Sequence, residues 1–146
     1  MTATPQQEEM KSLFVTKWEE IGKKAAKLAA GIPEEKFEYR PAEGVRTVGE
    51  VLRHLAFWDQ YVADTLLGRQ ADDSTNEVPQ SDYPTKAGMI EVLERNSRAV
   101  IAALQKLPGD PDRKTVELLV SFIEHTGEHY GQLVVYSRLL GIAPAA

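Results

Sequence analysis

Apolar residues recur at helical spacing in four separate stretches of this chain. Met10, Phe14, Trp18, Ile21, Ala25 and Leu28 fall three or four residues apart. That spacing predicts one buried stripe on a helix from about Gln7 to Ala30. Gly31 and Pro33 follow in the order that ends helices. A second stripe, Val48, Val51, Leu55, Trp58, Val62 and Leu66, predicts a helix that begins at Thr47 and stops at Gly68. Its opening, Thr47-Val48-Gly49-Glu50, fits the capping box, in which a hydroxyl and a carboxylate satisfy free backbone donors. Met89, Val92, Leu93, Val100 and Leu104 predict a third helix from about Thr85 to Lys106. In the fourth, from about Arg113 to Leu140, the residues Leu118, Phe122, His125, His129, Gln132 and Tyr136 make one line. Leu119, Ile123, Tyr130, Leu133 and Val134 widen its buried side, and Gly141 ends it.

The connections are equally informative. Ile32 to Arg46 carries Pro and Gly at intervals, and its Phe37 and Tyr39 alternate with charges. These two rings are expected to tuck under the end of the helices. Arg69 to Pro84 is polar and long enough for the chain to cross over a bundle rather than turn back. Leu107 to Asp112 is short, so the third and fourth helices are expected to be antiparallel neighbours. No stretch alternates like a strand and no repeat is visible. The expectation is an all-α four-helix bundle with long crossover connections, one domain spanning 1–146.

Composition narrows the function. A chain of 146 residues is the size of one domain and buries about 68–70% of its unfolded surface. With no cysteine, disulfides, thiolate metal ligands and a cysteine nucleophile are excluded. Their absence fits a cytoplasmic protein. The net charge of −5 argues against nucleic acid, which wants a basic stripe. Lys23-Lys24 and Arg113-Lys114 are too short to supply one. No apolar stretch approaches the roughly 20 residues of a membrane span. The polar, acidic start, Met1 to Glu9, argues against a signal peptide.

Chemistry enters with histidine. The chain has three. His125 and His129 are four apart on the fourth helix, so their Cβ atoms stand roughly 5–6 Å apart on one face. Two such rings can share an ion, each about 2.0–2.1 Å from it if the ion is zinc. His54 lies at the edge of the second stripe, on the line of Glu50, Trp58 and Tyr61. Taken alone, a histidine on an apolar face is more often a hydrogen-bonded core residue, and a bare H-x-x-x-H is a weak signal. Together they say more, because burying three imidazoles with no shared partner is costly. His125-Thr126-Gly127-Glu128-His129 also matches the H-x-x-E-H protease pattern. That class needs a further carboxylate ligand downstream, and no Asp or Glu follows His129. Gly127 and Gly131 are read as permitting close approach of a neighbouring helix.

The segment from Pro33 to Leu55, containing Arg53-His54-Leu55, closely resembles the DinB/YfiT-like family of metal-dependent enzymes. So does His125-Thr126-Gly127-Glu128-His129-Tyr130-Gly131-Gln132, followed by Leu139-Leu140-Gly141-Ile142. The resemblance implies a four-helix bundle with long crossovers and one divalent ion, zinc or nickel, on His54, His125 and His129. It also implies a homodimer. Tyr130 departs from the arginine that many relatives carry there, which leaves the ligands intact.

Three neutral imidazoles leave at least one coordination position open. It can hold water and lower its pKa towards about 7, or bind a thiolate. The resemblance favours the second, since characterised relatives join low-molecular-weight thiols to electrophiles. The expectation is a thiol-dependent S-transferase acting on a small molecule. The alternatives are a hydrolase using bound hydroxide and a non-catalytic binding module. Glu50 and Gln132 are the candidates for supporting roles. Glu128 lies off the metal-facing line, and Trp58, Tyr61 and Tyr136 are expected as apolar walls.

Overall fold

The four apolar stripes lie on four helices. The computed structural model describes residues 5–109 and 111–144. The first four residues of the acidic start, and Asp110 in the last connection, lie outside the described residues. The elements are α1 (Pro5–Ala30), a short 3-10 turn (Glu34–Lys36), α2 (Val48–Leu66), α3 (Lys86–Lys106) and α4 (Arg113–Leu139). No strand occurs among the described residues.

Local chemistry sets the helix ends. Thr47 Oγ1 accepts from Glu50 N at 3.1 Å, Thr85 Oγ1 from Gly88 N at 3.0 Å and Asp112 Oδ1 from Thr115 N at 2.8 Å. Each cap satisfies one orphan donor and stabilises its helix by about 1 kcal/mol. Only half of the expected capping box forms at α2. The Glu50 carboxylate is held by Arg40 at 2.7 Å instead of turning back to the Thr47 backbone. Gly68 and Gly141, at φ 71° and 77°, supply the left-handed residue that closes α2 and α4.

Two buried clusters fix how the helices run. One joins Leu28 from the end of α1 and Ile32 just beyond it, Val51 and Leu55 from the first half of α2, Met89 and Leu93 from the start of α3, and Leu133 and Tyr136 from the end of α4. The other joins Trp18, Val62, Val100, Leu104 and Leu119 from the opposite ends. Hence α2 and α3 run parallel to each other and antiparallel to α1 and α4. Helices α2 and α3 pack together, as do α1 with α3, α1 with α4 and α2 with α4. Neither α1–α2 nor α3–α4 forms a packed face among the described residues. Helices α3 and α4 are therefore antiparallel but not neighbours, which corrects the expectation drawn from their short connection. Six residues reach up to about 20 Å, more than the roughly 11–14 Å diagonal of a bundle with 8–10 Å between axes.

Parallel neighbours α2 and α3 require the chain to return along the whole bundle. The 19 residues of α2 are about 28 Å long, and the segment 67–85 covers that distance. It runs back beside α2, where Val78 N donates to Arg53 O at 3.2 Å. Phe37 is buried and Tyr39 stands edge-on to Tyr136 at 6.0 Å, so both rings tuck in as expected. Two further expectations fail. Met10 is 49% exposed and lies outside the buried stripe, next to Lys11, whose Nζ reaches the Leu107 carbonyl at the end of α3, 2.7 Å away. A Cβ on Gly127 or Gly131 would meet nothing within 4 Å, so neither admits a neighbouring helix. The close approaches are at Gly22, against Ser97 Oγ, and Gly49, against Met89 Sδ.

Candidate metal centre

Helices α2 and α4 are packed neighbours, and each presents imidazole at their shared face. His54 is 6% exposed, while His125 and His129 are half-buried. Ring centroids lie 5.0 Å apart for His54–His125, 4.7 Å for His54–His129 and 4.7 Å for His125–His129. One ring nitrogen from each falls within 4.8 Å of the others, so the three rings can hold one ion. The Nε2 atoms of His54 and His125 are 3.0 Å apart. Two imidazole ligands at about 2.0–2.1 Å from a tetrahedral zinc would be roughly 3.3 Å apart, so this pair would open by only a few tenths of an ångström to hold one.

Neighbouring groups decide which nitrogens carry lone pairs. The Asn76 carbonyl lies 2.7 Å from His54 Nδ1. A carbonyl only accepts, so Nδ1 carries the proton and Nε2 the lone pair. For His129 the same result comes through a relay. Tyr136 Oη donates to the Arg46 carbonyl at 2.7 Å and so accepts from Gln132 Nε2 at 2.8 Å. That turns Gln132 Oε1 towards His129 Nδ1, 2.8 Å away, which must donate. Both outer rings are held in the tautomer that metal-ligating histidines use. With the His54 proton on Nδ1, the 3.0 Å contact between the two Nε2 atoms requires His125 Nε2 to donate in the metal-free cluster; to hold a cation through Nε2, His125 would carry its proton on Nδ1 instead.

Electrostatics agree. Burial pushes the His54 pKa down to about 4; the Asn76 bond opposes this, while Arg46 and the other two imidazoles add to it. Burial also pushes His125 down to about 4, helped by His129 and Arg46 and opposed by Glu128. Both rings are neutral near pH 7, as ligation requires. On one flank Phe122 stands edge-on to His125 at 5.7 Å and stacks on Trp58 at 5.7 Å, with Tyr61 5.1 Å from Trp58. Trp58 and Tyr61 thus form the expected apolar wall. Tyr136 does not: it is buried, and its hydroxyl is the hinge of the relay.

On the other flank a cleft of about 390 Å³ is lined by Arg40, Arg46, Glu50, Glu77, His129 and Gln132. Gln132 contacts a candidate ligand directly, Glu50 is occupied by Arg40, and Glu128 is exposed. A larger groove between α1 and α3, about 640 Å³ and lined by Gly22, Ala26, Ser97 and Ile101, contains no histidine. Sequence reasoning missed Asn76 and Arg46. Asn76 acts through its backbone, which no side-chain pattern announces. Arg46 sits just before the Thr47 cap in a segment whose path the sequence leaves open.

A family model described as the DinB superfamily matches residues 17–133. No curated protein matches the chain.

Proposed function

The chain belongs to the DinB superfamily, and from that footing we propose that it is a metal-dependent enzyme joining a low-molecular-weight thiol to a small electrophile. The observation that carries this is the convergence of His54, His125 and His129, two of them with their tautomer set by a carbonyl and by an amide. These residues would hold a divalent ion, zinc or nickel. When bound, the ion supplies positive charge and an open position that favour the thiolate form of a substrate.

The protein's own groups do the rest. Asn76 O and Gln132 Oε1 keep the Nδ1 protons of His54 and His129 in place and their lone pairs directed at the ion. The Trp58–Phe122 stack keeps water from one side of the cluster, and the cleft beside His129 admits the substrate from the other. No helix among the described residues is long and apolar enough to cross a membrane. We take the protein to be a cytoplasmic homodimer, on the strength of family likeness and a cysteine-free sequence.

The test is a panel of small thiols and electrophiles offered to metal-loaded protein. The expected result is thiol-dependent turnover that disappears in His129→Ala. Hydrolysis of esters or amides without added thiol would point to the hydrolase instead. Retention of metal with no turnover across the panel would leave a binding module.

A further inference from the structure

Arg46 lines the cleft beside His129 and Gln132. Its Nε is buried and has no hydrogen-bond partner, while the side chain as a whole is 33% exposed, so the rest of the guanidinium is open to an incoming group. Leaving a guanidinium N–H buried without an acceptor is costly, more so than for a neutral donor. The carboxylate that approaches it, Glu77, holds an oxygen 3.8 Å away, beyond hydrogen-bonding distance. The other cation of the cleft is committed, since Arg40 bonds Glu50 at 2.7 Å and the Val45 carbonyl at 2.6 Å. The Arg46 backbone is pinned by the Tyr136 hydroxyl, so the side chain starts from a fixed point. Its charge reaches the imidazole cluster, where it bears on both His54 and His125.

We propose that Arg46 is a specificity-determining residue whose guanidinium receives a carboxylate of the substrate while the substrate's reacting end lies at the three-histidine centre. This rests on the metal-centre reading above and adds the substrate class: a small molecule bearing a carboxylate within reach of its reacting group. The planar fork of arginine suits a carboxylate. Charge balance favours a singly charged group, because Glu50 is already paired with Arg40 and only Arg46 is left to answer an anion beside Glu77. Glu77 then serves as an internal competitor that holds Arg46 loosely when the cleft is free.

The experiment compares matched probes on cobalt-loaded protein: 4-mercaptobutyrate against 4-mercaptobutanol, whose spacer disfavours closing a chelate ring on the cobalt, and acetate against acetamide. Affinities are read from the cobalt absorption spectrum and by calorimetry. Mercaptobutyrate should bind about tenfold or more tightly than mercaptobutanol, the worth of one charge-assisted hydrogen bond. That gap should close in Arg46→Gln at unchanged cobalt content. In Glu77→Gln, with the competitor neutralised, it should widen, a gain that misfolding does not produce. Equal affinity for the two thiols, or a gap that survives Arg46→Gln, overturns the assignment. If neither thiol gives a sulfur-to-cobalt band, the thiol reading of the enzyme fails. Acetate and acetamide then decide alone: an Arg46-dependent preference for acetate supports the carboxylate site, and its absence overturns it.

Discussion

Gln132 has both ends of its amide in use, one on His129 Nδ1 and one on the Tyr136 hydroxyl. Gln132→Leu would strip His129 of its orienting acceptor, and loss of such a partner typically costs 10–100-fold in metal affinity. Tyr136→Phe keeps the Gln132–His129 contact but frees the amide to turn, so a smaller loss is expected. Competition with a chelator of known affinity measures both; unchanged affinity in Gln132→Leu would remove the relay from the account. Which histidines lie together could be read from the sequence, since spacing places His125 over His129 and a stripe edge places His54. What holds the rings could not, because a tautomer is fixed by partners that only the fold brings near. Asp59 makes a separate prediction. It is 5% exposed, and burial alone pushes its carboxyl well above the ordinary range. The unfolded chain releases that proton near pH 3.9, so Asp59 favours folding below about pH 4 and loses this contribution as pH rises through its folded value. Asp59→Asn should therefore melt higher than wild type at pH 8 and lose that advantage at pH 4. A melting difference constant with pH would show that Asp59 does not titrate in this way.

At the scale of elements, the stripes forecast all four helices to within two residues at each end, because each stripe is bounded by Pro, Gly or a capping side chain. The packing partners of α3 and α4 were not legible, since a six-residue loop spans a bundle diagonal as readily as an edge. Thr47→Ala should cost about 1 kcal/mol, whereas Glu50→Gln removes a part-exposed ion pair worth about 0–1 kcal/mol. The contrast in denaturant titrations would confirm that the threonine caps α2 alone. The crossover 67–85 carries the sharper prediction. It reads as polar filler, yet it returns along α2 and delivers the Asn76 carbonyl to His54, clamped two residues later by Val78 N on Arg53 O. Val78→Pro deletes that donor. Metal affinity should fall by about tenfold, as for loss of a partner that orients a ligand, with helical circular dichroism unchanged. Full affinity in this variant would mean that the crossover holds His54 without the clamp.

For the molecule as a whole, the issue is what the centre contributes to a fold that already has a core. Trp18, Leu52, Leu93 and Leu133 are buried without help from any ion, so the bundle is expected to stay folded on chelation, unlike small domains that fold only around their metal. An ion at 100 times its dissociation constant adds about 2.7 kcal/mol. For a chain of this size that corresponds to a fall in Tm of roughly 5–10 °C on its removal. Protons compete for the same lone pairs. His54 and His125 titrate near pH 4 in the fold and near 6.5 in the unfolded chain. As pH falls below about 6.5 the unfolded chain takes up protons first, so the metal-free protein loses stability from there down to about pH 4. Stability is full above that window, the reverse of the Asp59 effect. At His54 and His125 protons compete little with a bound ion until pH nears 4, so these two ligands should still hold metal at pH 5, where exposed imidazoles would already be protonated. Metal content measured after dialysis from pH 7 to 4 tests this directly. Half-release near pH 6.5 would mean that the rings are solvated rather than buried, while release near pH 4 to 5, absent from a variant lacking all three histidines, ties the ion to this site and burial to its strength.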